Sequence, residues 1–482
     1  MRRILNCLFL NKAGIGAAPQ KEKHMTEKQL EKKIADSGRT LLFSNEDLKR
    51  LIIPLVIDQV LVRTVGMADT MMISSVGEAA ISGVSLVDMI NMLINAIFAA
   101  VATGGAVIAS QYLGHRDREK ACEASSQLMV VTAVCALLFT VLSLAARKPL
   151  LSLLFGQIDA DVMEAALTYL TVSAISFPFL ASFNSSSALF RAMNDSRTPT
   201  LVSLGMNVMN LVGNSILIFG MKWGVAGAAI STLLSRVMAA VVMFILSLNK
   251  HRQLYVRFDQ MMRFQPTLVG QILYIGIPSG IENGIFELGR IVVVSMISTF
   301  GTVQIAANAV ANNLDGVGVL AGAAMNLAIL TVVGRCVGAH DNDQVRYYTR
   351  KLLKIEYAMM VAVNVVLLAA LPLILNLYTL SPASRELATQ LVFIHDGFAM
   401  LLWPLALSMP NALRAANDVK FTMALSIGSM VCFRIALSYV VGVKMGYGAL
   451  GVWFAMLVDW LFRAVVYTWR FEKGKWESMA RI

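Results

Sequence analysis

Long apolar runs separated by short polar segments follow one another along almost the whole chain after residue 47. Each run has about 20 or more residues, which is enough for an α-helix to cross roughly 30 Å of hydrocarbon. A membrane β-barrel would show short alternating segments instead. The pattern therefore predicts an all-α polytopic membrane protein with twelve transmembrane helices. The predicted spans are 51–73, 86–110, 127–146, 163–190, 200–220, 226–247, 271–299, 305–333, 352–378, 390–410, 421–443 and 449–468.

Composition supports a membrane protein and argues against other classes. Of the 482 residues, 57% are hydrophobic and only 15% are charged, whereas a soluble domain is nearer a quarter charged. The formal net charge is +11, but the basic residues lie between the apolar runs and not on one face, so nucleic-acid binding is not expected. The five cysteines show no metal or disulfide spacing. The five histidines are predicted to lie in the tail, in loops or at helix edges, so we expect no metal site, cofactor or enzymatic activity.

The distribution of lysine and arginine predicts the orientation in the membrane. Loops after even-numbered spans are basic, as in Arg116, Arg118 and Lys120 after the second span. The loops 74–85 and 300–304, on the opposite side, contain no Lys or Arg. Because basic loops stay in the cytoplasm, both termini are predicted to be cytoplasmic, in a multi-pass protein of the cytoplasmic (inner) membrane.

The chain repeats itself at a nearly constant spacing. The segment IPLVIDQ at 53–59 recurs as IPSGIEN at 277–283, an offset of 224 residues. Further matches pair Gly114 with Gly338, LFRAMND at 189–195 with ALRAAND at 412–418, and WGVAG at 223–227 with YGALG at 447–451. Each repeat holds six spans, which predicts two pseudo-symmetric six-helix bundles related by an axis along the membrane normal. The predicted organisation is a disordered cytoplasmic tail at 1–47, bundles at 48–247 and 268–470, a cytoplasmic linker at 248–267 and a cytoplasmic tail at 471–482.

Charged residues within the spans are the candidate functional residues. The first span contains Asp58, Arg63 and Asp69, and an ionisable residue at the centre of a membrane helix costs about 2.5–3.5 kcal/mol. Asp58 and Asp69 are eleven residues apart, which places them on one face of the helix, about three turns apart. Asp69 is predicted to bind a proton or Na⁺, with helix-locking ion pairs as the alternative.

The repeat gives the acid near the first proline a counterpart. Asp58 follows Pro54 by four residues and aligns with Glu282, which follows Pro278 by four. A proline frees a backbone carbonyl, and a carboxylate beside it suits a proton or small cation. A hinge is an equally good reading of both positions.

Other polar residues in the spans have weaker signals. Asn210 and Asn214 lie four apart on one face of the fifth span and could bind a cation or join helices. Glu287 and Arg290 are three apart, which favours a pair within the helix. Asp88 and Asp315 are interpreted as capping or interfacial residues, and Asp459 with Arg463 as a structural pair. The predicted coupling and substrate residues are Asp58, Asp69, Asn210, Asn214, Glu282 and Glu287.

Several motifs resemble the multidrug and toxic compound extrusion (MATE) family. They include MADTMMISSVG, QYLGHRD, LFRAMNDSRTP, IGIPSGIENG and FGTVQIAANAVAN, and the resemblance covers about residues 45–475. It implies two six-helix bundles around a central cleft, and efflux of cationic or amphipathic compounds in exchange for H⁺ or Na⁺. It also implies that Asp69 is the coupling acid of the first helix and Asn210 the asparagine of the fifth. The expected partners are these small molecules and membrane lipids, and the expected state is a monomer.

The sequence departs from the family pattern at the coupling site. One bacterial branch has an aspartate where this chain has Asn214, and another has an acid in the tenth helix where this chain has Trp403. The seventh-helix glutamate of the family matches Glu287 only with a one-residue shift. The coupling ion therefore stays open. The alternative functions are a flippase for lipid-linked saccharides and a dedicated metabolite exporter.

Overall fold

The computed structural model describes residues 25–155, 159–376, 378 and 380–479, and these contain helices but no strand. Twelve long helical segments follow one another as the sequence predicts. Those of the first bundle are Asn45–Ser74, Glu78–Gly114, Arg118–Ala145, Ala160–Ala192, Arg197–Gly220 and Gly224–Ser247. Those of the second are Pro266–Ser298, then Thr302–Gly318 continued by Leu320–Gly338, and Asn342–Leu375, Pro382–Ala415, Val419–Lys444 and Gly448–Lys473. Short helices cover Glu27–Asp36, Arg147–Phe155, Phe258–Met261 and Lys475–Ser478.

Eleven helices of the described chain are long and apolar enough to cross a membrane. The seventh span, Pro266–Ser298, adds a helix of 33 residues in which Glu282, Glu287 and Arg290 interrupt the apolar sequence. Together they give the twelve spans that the hydropathy pattern predicts. The helices extend beyond the predicted ends because polar residues cap them. Asp117, for example, accepts a hydrogen bond from the backbone N–H of Lys120 at the start of the third span.

Prolines and wide turns modify several spans without ending them. Pro54 and Pro278 both lie inside continuous helices, so the predicted intrahelical prolines of the first and seventh spans are confirmed. The fifth span changes from α-helix to π-helix at Ser215–Gly220, directly after Asn214. The tenth and eleventh spans also contain π-helical turns. Such turns are frequent at functional sites because they widen a helix locally.

The two bundles meet where glycines allow their backbones to touch. A Cβ atom added to Gly338 of the eighth span would lie 1.8 Å from the carbonyl oxygen of Gln111 in the second. A Cβ atom on Gly114 would lie 2.1 Å from the carbonyl oxygen of Arg335. Gln111 Nε2 also donates to the carbonyl oxygen of Ala415 across 2.8 Å. These contacts lie at the ends predicted to be cytoplasmic, so the bundles are closed against each other there.

The prediction of a disordered tail at 1–47 is wrong for residues 25–47, since the helix of the first span already begins at Asn45. We call residues 25–43 the N-terminal strap; residues 1–24 lie outside the described residues. Its helix, Glu27–Asp36, begins with a capping box at Thr26. Leu30 and Ile34 are each 1% exposed and belong to a hydrophobic core that the second bundle forms with the start of the first span. Their spacing of four places both on one helix face. This apolar spacing is hard to recognise in the sequence because many Lys and Glu residues surround it.

Polar contacts add to this docking. Arg39 donates from Nη1 to Asp341 across 2.8 Å and from Nη2 to Asp343 across 2.7 Å. The hydrogen bond to Asp343, together with both negative charges, raises the pKa of the Arg39 guanidinium above its usual value. Tyr348 exchanges hydrogen bonds with the backbone of Phe43 at 2.9 and 2.7 Å. The strap precedes the first bundle in sequence but packs on the second, and so joins the two.

Candidate functional site

Asp69 is held by two asparagines of the fifth span. Asn214 Nδ2 donates to Asp69 Oδ1 across 2.7 Å. With its amide nitrogen turned toward Asp69, Asn210 donates to both carboxylate oxygens at 2.8 and 3.0 Å, while its oxygen accepts from Thr232 at 3.2 Å. The predicted shared face of Asn210 and Asn214 thus points at the predicted coupling acid. Hydrogen bonds to a carboxylate stabilise its ionised form, so the site is prepared to attract a cation.

Asp69 lies in the wall of a cavity of about 230 Å³ inside the first bundle. Asp88 of the second span, Tyr169 of the fourth and Arg236 of the sixth also line it. Arg236 donates from Nη1 to Ser176 Oγ across 2.6 Å, which fixes its charge beside the two acids. Drug-sized ligands occupy pockets of about 300–1,000 Å³, so this cavity lies below that range and has room for an ion with its water.

The cavity corrects the interpretation of Asp88. The sequence suggested a capping or interfacial residue, but the second helix begins at Glu78, so Asp88 lies about three turns inside it. The position of Asp88 within an apolar run of the sequence could have indicated that it lies inside the span. The role of Arg236 in the sixth span was missed altogether, because a single arginine in a span does not show which helix faces it.

Asp58 does not lie with Asp69. It is half-buried, adjacent to Ser203 of the fifth span and Arg191 at the end of the fourth. Its Oδ1 atom has no hydrogen-bond partner among the described residues. Thr200 Oγ1 donates across 3.0 Å to the carbonyl oxygen of Pro54, one turn earlier. The predicted polar site near the first proline therefore exists, but it is separate from the cavity.

Glu282 is bound within the second bundle. Arg414 donates from Nη2 to Glu282 Oε1 across 2.6 Å, and the hydroxyl of Ser426 donates to the same oxygen. Ser426 and Arg414 stand at the repeat positions of Ser203 and Arg191. The structure thus gives the aligned acids the same kinds of neighbour, but it forms the ion pair only at Glu282.

Glu287 forms the predicted pair with Arg290 in its own helix, with Oε2 and Nη1 3.3 Å apart. Asp459 and Arg463 also form their predicted pair, at 2.9 Å and deeply buried. The six predicted site residues are therefore distributed. Asp69, Asn210 and Asn214 come together, and Asp58, Glu282 and Glu287 each lie elsewhere.

The expectation that all histidines lie in the tail, in loops or at helix edges is wrong for His395. Its side chain is 1% exposed inside the tenth span and contacts Asp315 and Asp396. Asp315, interpreted from sequence as a residue near a helix start, is the fourteenth residue of its helix, Thr302–Gly318. Only helix packing brings these three residues together, since Asp315 is some eighty residues from the other two.

Two repeated six-helix bundles with ionisable residues inside them are an architecture found in secondary transporters. The MatE family model matches residues 54–216 and 278–440, one segment in each bundle. The chain therefore belongs to the MatE family, whose members are the MATE transporters; these are membrane transporters and not enzymes.

The chain is 27% identical to the uncharacterized transporter YisQ of Bacillus subtilis (strain 168), over 88% of this chain and 93% of the relative. It is 25% identical to the probable multidrug resistance protein NorM of Thermotoga maritima, over 90% of this chain and 94% of the relative. Both relatives are matched over nearly their full length, so the similarity covers both bundles.

Two solved structures share the fold. One is described as the outward-facing conformation of a multidrug resistance MATE family transporter, with a TM-score of 0.82, 20% identity and coverage of 90% of this chain and 96% of the other. The second is a transporter from Pyrococcus furiosus described as having a binding pocket of reverse polarity, with a TM-score of 0.82, 18% identity and coverage of 97% and 100%. The predicted architecture of two six-helix bundles is confirmed.

Proposed function

We propose that the protein is a secondary active efflux transporter that exchanges H⁺ or Na⁺ for cationic or amphipathic organic compounds by alternating access. The observation that carries this proposal is the Asp69 carboxylate, oriented by Asn210 and Asn214 at the wall of an ion-sized cavity. The naming of the NorM relative as a probable multidrug resistance protein supports the substrate class. The driving force comes from the ion gradient, and no resident cofactor is needed.

The charges around the cavity suggest how ion binding drives the cycle. Asp69 and Asp88 face one fixed cation, Arg236, so the ionised cavity carries a net negative charge that attracts H⁺, Na⁺ or an organic cation. Burying an uncompensated charge is costly. Closure around the cavity is therefore favoured only after a cation has bound, and this gives the two conformations unequal affinity for the ion.

The contact between the bundles supports the same cycle. Their backbones touch at Gly114 and Gly338, at the end predicted to be cytoplasmic, so an ion would reach the cavity from outside in this conformation. We place the protein in the cytoplasmic membrane with both termini inside, on the basis of its basic loops, and we propose that it works as a monomer.

Purified protein in proteoliposomes with an imposed H⁺ or Na⁺ gradient tests the proposal. Export of a cationic dye should depend on one of the two gradients. Asp69→Asn keeps the shape of the side chain but removes its charge, and it should abolish gradient-driven exchange while the protein remains folded. Glu78→Gln, at an exposed position in the next helix, is the matched control and should transport normally.

Gradient-driven transport by Asp69→Asn at the wild-type rate would contradict the coupling role. A folded wild-type protein that moves no member of a broad panel of dyes would contradict the proposed substrate class, and it would favour a dedicated metabolite exporter or a flippase. The cavity has two acids and one arginine. Its net negative charge therefore suits a cation better than the anionic pyrophosphate of a lipid-linked saccharide.

A further inference from the structure

A second cavity, of about 330 Å³, lies beside the contact between the bundles at the end predicted to be cytoplasmic. Three parts of the chain line it: the turn after the second span with Arg116 and Arg118, the linker with Arg252 and Gln253, and the eighth span with Arg335. The described residues that line it include no acid. Arg116, Arg118 and Gln253 are exposed, so the cavity is accessible from solution, and its size suits a small organic ligand.

Neutral groups hold two of these arginines in place. Arg118 donates from Nε to the carbonyl oxygen of Gln253 across 3.1 Å, and from Nη2 to two further carbonyl oxygens of the linker at 2.9 and 2.6 Å. Arg335 donates from Nη2 to Gln253 Oε1 across 3.2 Å, and its guanidinium carbon lies 5.7 Å from the ring centroid of Phe43 in the N-terminal strap. These partners fix the guanidinium groups without neutralising them, so their charge remains available to an anion.

Acids offset only a small part of the positive charge. Asp195 pairs with Arg252 across 2.9 Å, and the buried Nε atom of Arg252 has no hydrogen-bond partner among the described residues. The other three arginines form no ion pair within 4.0 Å with any acid in the described chain, and Asp47 acts on Arg335 only at longer range. Because like charges around one cavity repel each other, a bound anion would stabilise this arrangement.

The repeat provides a comparison within the same molecule. Its offset of 224 residues relates the linker to the N-terminal strap, and each of them leads into one bundle and packs on the other. The linker packs on the first bundle, where Gln127 Nε2 donates to the carbonyl oxygen of Gln260 across 2.7 Å. In the strap, Arg39 is paired with Asp341 and Asp343. The strap thus has matching acids, whereas most arginines of the linker cavity have none, a difference that the preference for basic cytoplasmic loops does not explain.

The cavity is complete only while the two bundles are in contact. Gln253 joins Arg118 of the first bundle to Arg335 of the second, and the backbone contacts of Gly114 and Gly338 lie close by in the sequence. Separation of the bundles at this end would carry Arg335 away from the arginines of the first bundle. A ligand held by both sets of arginines therefore binds the closed conformation better and shifts the equilibrium toward it.

We propose that this cavity binds a phosphate-bearing anion through Arg116, Arg118 and Arg335, and that the anion keeps the bundles closed on the cytoplasmic side. Guanidinium groups suit phosphate because their donors match its oxygens in pairs. The phosphate belongs either to a soluble metabolite or to the headgroup of an anionic lipid, and the experiments below separate these sources. The effect on conformation rests on the proposed function as an exporter, whereas the binding site does not.

Thermal unfolding of the full-length protein in detergent measures binding without transport. Pyrophosphate in metal-free buffer should raise the Tm of the wild type in a saturable way, and potassium chloride of equal ionic strength should not. Arg116→Gln and Arg335→Gln should each weaken the affinity for pyrophosphate about ten- to a hundredfold, since each removes charge-assisted hydrogen bonds. Arg263→Gln, at an exposed position of the linker outside the cavity, removes the same charge and should respond as the wild type does.

Nanodiscs of defined lipid composition distinguish the two sources of phosphate. If the ligand is a headgroup, phosphatidylglycerol should raise the Tm above that in phosphatidylcholine for the wild type and not for Arg116→Gln, and pyrophosphate should have no effect in detergent. A response to pyrophosphate alone assigns the site to a soluble anion. A wild type that responds to neither ligand would overturn the proposal. Equal responses of the wild type, Arg116→Gln and Arg335→Gln would also overturn it, because binding would then occur elsewhere.

Inside-out vesicles test the effect on conformation, since their outer surface is the cytoplasmic face. Pyrophosphate added outside, or phosphatidylglycerol in the vesicle membrane if the lipid is the ligand, should slow dye uptake by the wild type but not by Arg116→Gln. Undiminished wild-type uptake at saturating ligand would overturn the proposed closure. A wild type that binds the anion but moves no dye would leave the anion site standing while the exporter function fails.

Discussion

Arg414 donates from Nη2 to Oε1 of Glu282 across 2.6 Å and thereby fixes the end of the tenth span to the seventh. The equivalent residues of the first bundle, Arg191 and Asp58, face each other, but no ion pair within 4.0 Å joins them in the described chain. Both repeats thus have an arginine and an acid at these positions, but only the second repeat forms the ion pair. One bundle is fixed at this position, and the other has an acid with an unpartnered oxygen.

Glu282→Gln should destabilise the protein more than Asp58→Asn does. Removing Glu282 leaves the largely buried Arg414 without its counter-charge, and breaking a buried pair in this way costs about 3–5 kcal/mol. Asp58→Asn breaks no ion pair. Thermal unfolding in detergent should show a clearly lower Tm for Glu282→Gln only, and equal shifts in both variants would contradict the asymmetry. The double variant Glu282→Gln/Arg414→Gln should recover part of the loss.

Asn214→Ala should change the affinity for the coupling ion without preventing exchange. The change removes the 2.7 Å hydrogen bond to Asp69, and a hydrogen bond to a charged group contributes about 1.5–3 kcal/mol. Because this hydrogen bond stabilises the ionised carboxylate, its loss favours the protonated acid. With H⁺ as the coupling ion, the proton concentration that gives half-maximal exchange should therefore fall about ten- to a hundredfold. Ser215→Ala is the matched control, since Ser215 is the next residue, is exposed and donates from its hydroxyl to the carbonyl oxygen of Leu211 in its own helix. Equal effects of the two changes would argue against a specific role for Asn214.

Gly338→Ala should open the contact between the bundles. Its Cβ atom would lie 1.8 Å from the carbonyl oxygen of Gln111, and backbone cannot yield as a flexible side chain can. Gly270→Ala is the control, because a Cβ atom there has no neighbour within 4 Å and alanine favours a helix. Thermal unfolding and dye export should both decline in Gly338→Ala and remain intact in Gly270→Ala. A normal Gly338→Ala protein would show that the bundles do not pack here as described.

Ile34→Ala should release the N-terminal strap. Truncation of a buried isoleucine costs about 2–5 kcal/mol, and Ile34 is one of only two buried residues in this ten-residue helix. Limited trypsin treatment should then cleave at Lys28, Lys32 or Arg39 faster than in the wild type. Glu31→Ala, at an exposed position of the same helix, should be cleaved at the wild-type rate. Equal protection of Ile34→Ala and Glu31→Ala would contradict docking through this residue.

Cysteine labelling tests the orientation. Glu78→Cys and Glu119→Cys are both at exposed positions, on sides that the basic loops predict to be external and cytoplasmic respectively. In a variant without native cysteines, a membrane-impermeant maleimide added to right-side-out vesicles should label only Glu78→Cys. Labelling of Glu119→Cys should require permeabilised vesicles. Reaction of both cysteines from the same side would contradict the predicted topology.

The sequence alone determined the class, the number of spans, the repeat and the candidate coupling acid of the first span. Apolar runs of membrane length allow only helices, because hydrocarbon offers no partner to exposed backbone groups. The repeat alignment identified Glu282 as the counterpart of Asp58, and helical spacing placed Asn210 and Asn214 on one face. The pairs Glu287–Arg290 and Asp459–Arg463 were also predictable, since both partners lie on one helix.

Contacts between distant helices were decided only by the tertiary structure. Helix periodicity gives the face of a residue but not which helix packs against it, so Asp88 and Arg236 could not be assigned to the Asp69 cavity. For the same reason His395 could not be joined to Asp315. The helix of the N-terminal strap also could not be predicted from the sequence. Its apolar stripe is short, and such a helix is stable only because the ninth span provides a surface that covers it.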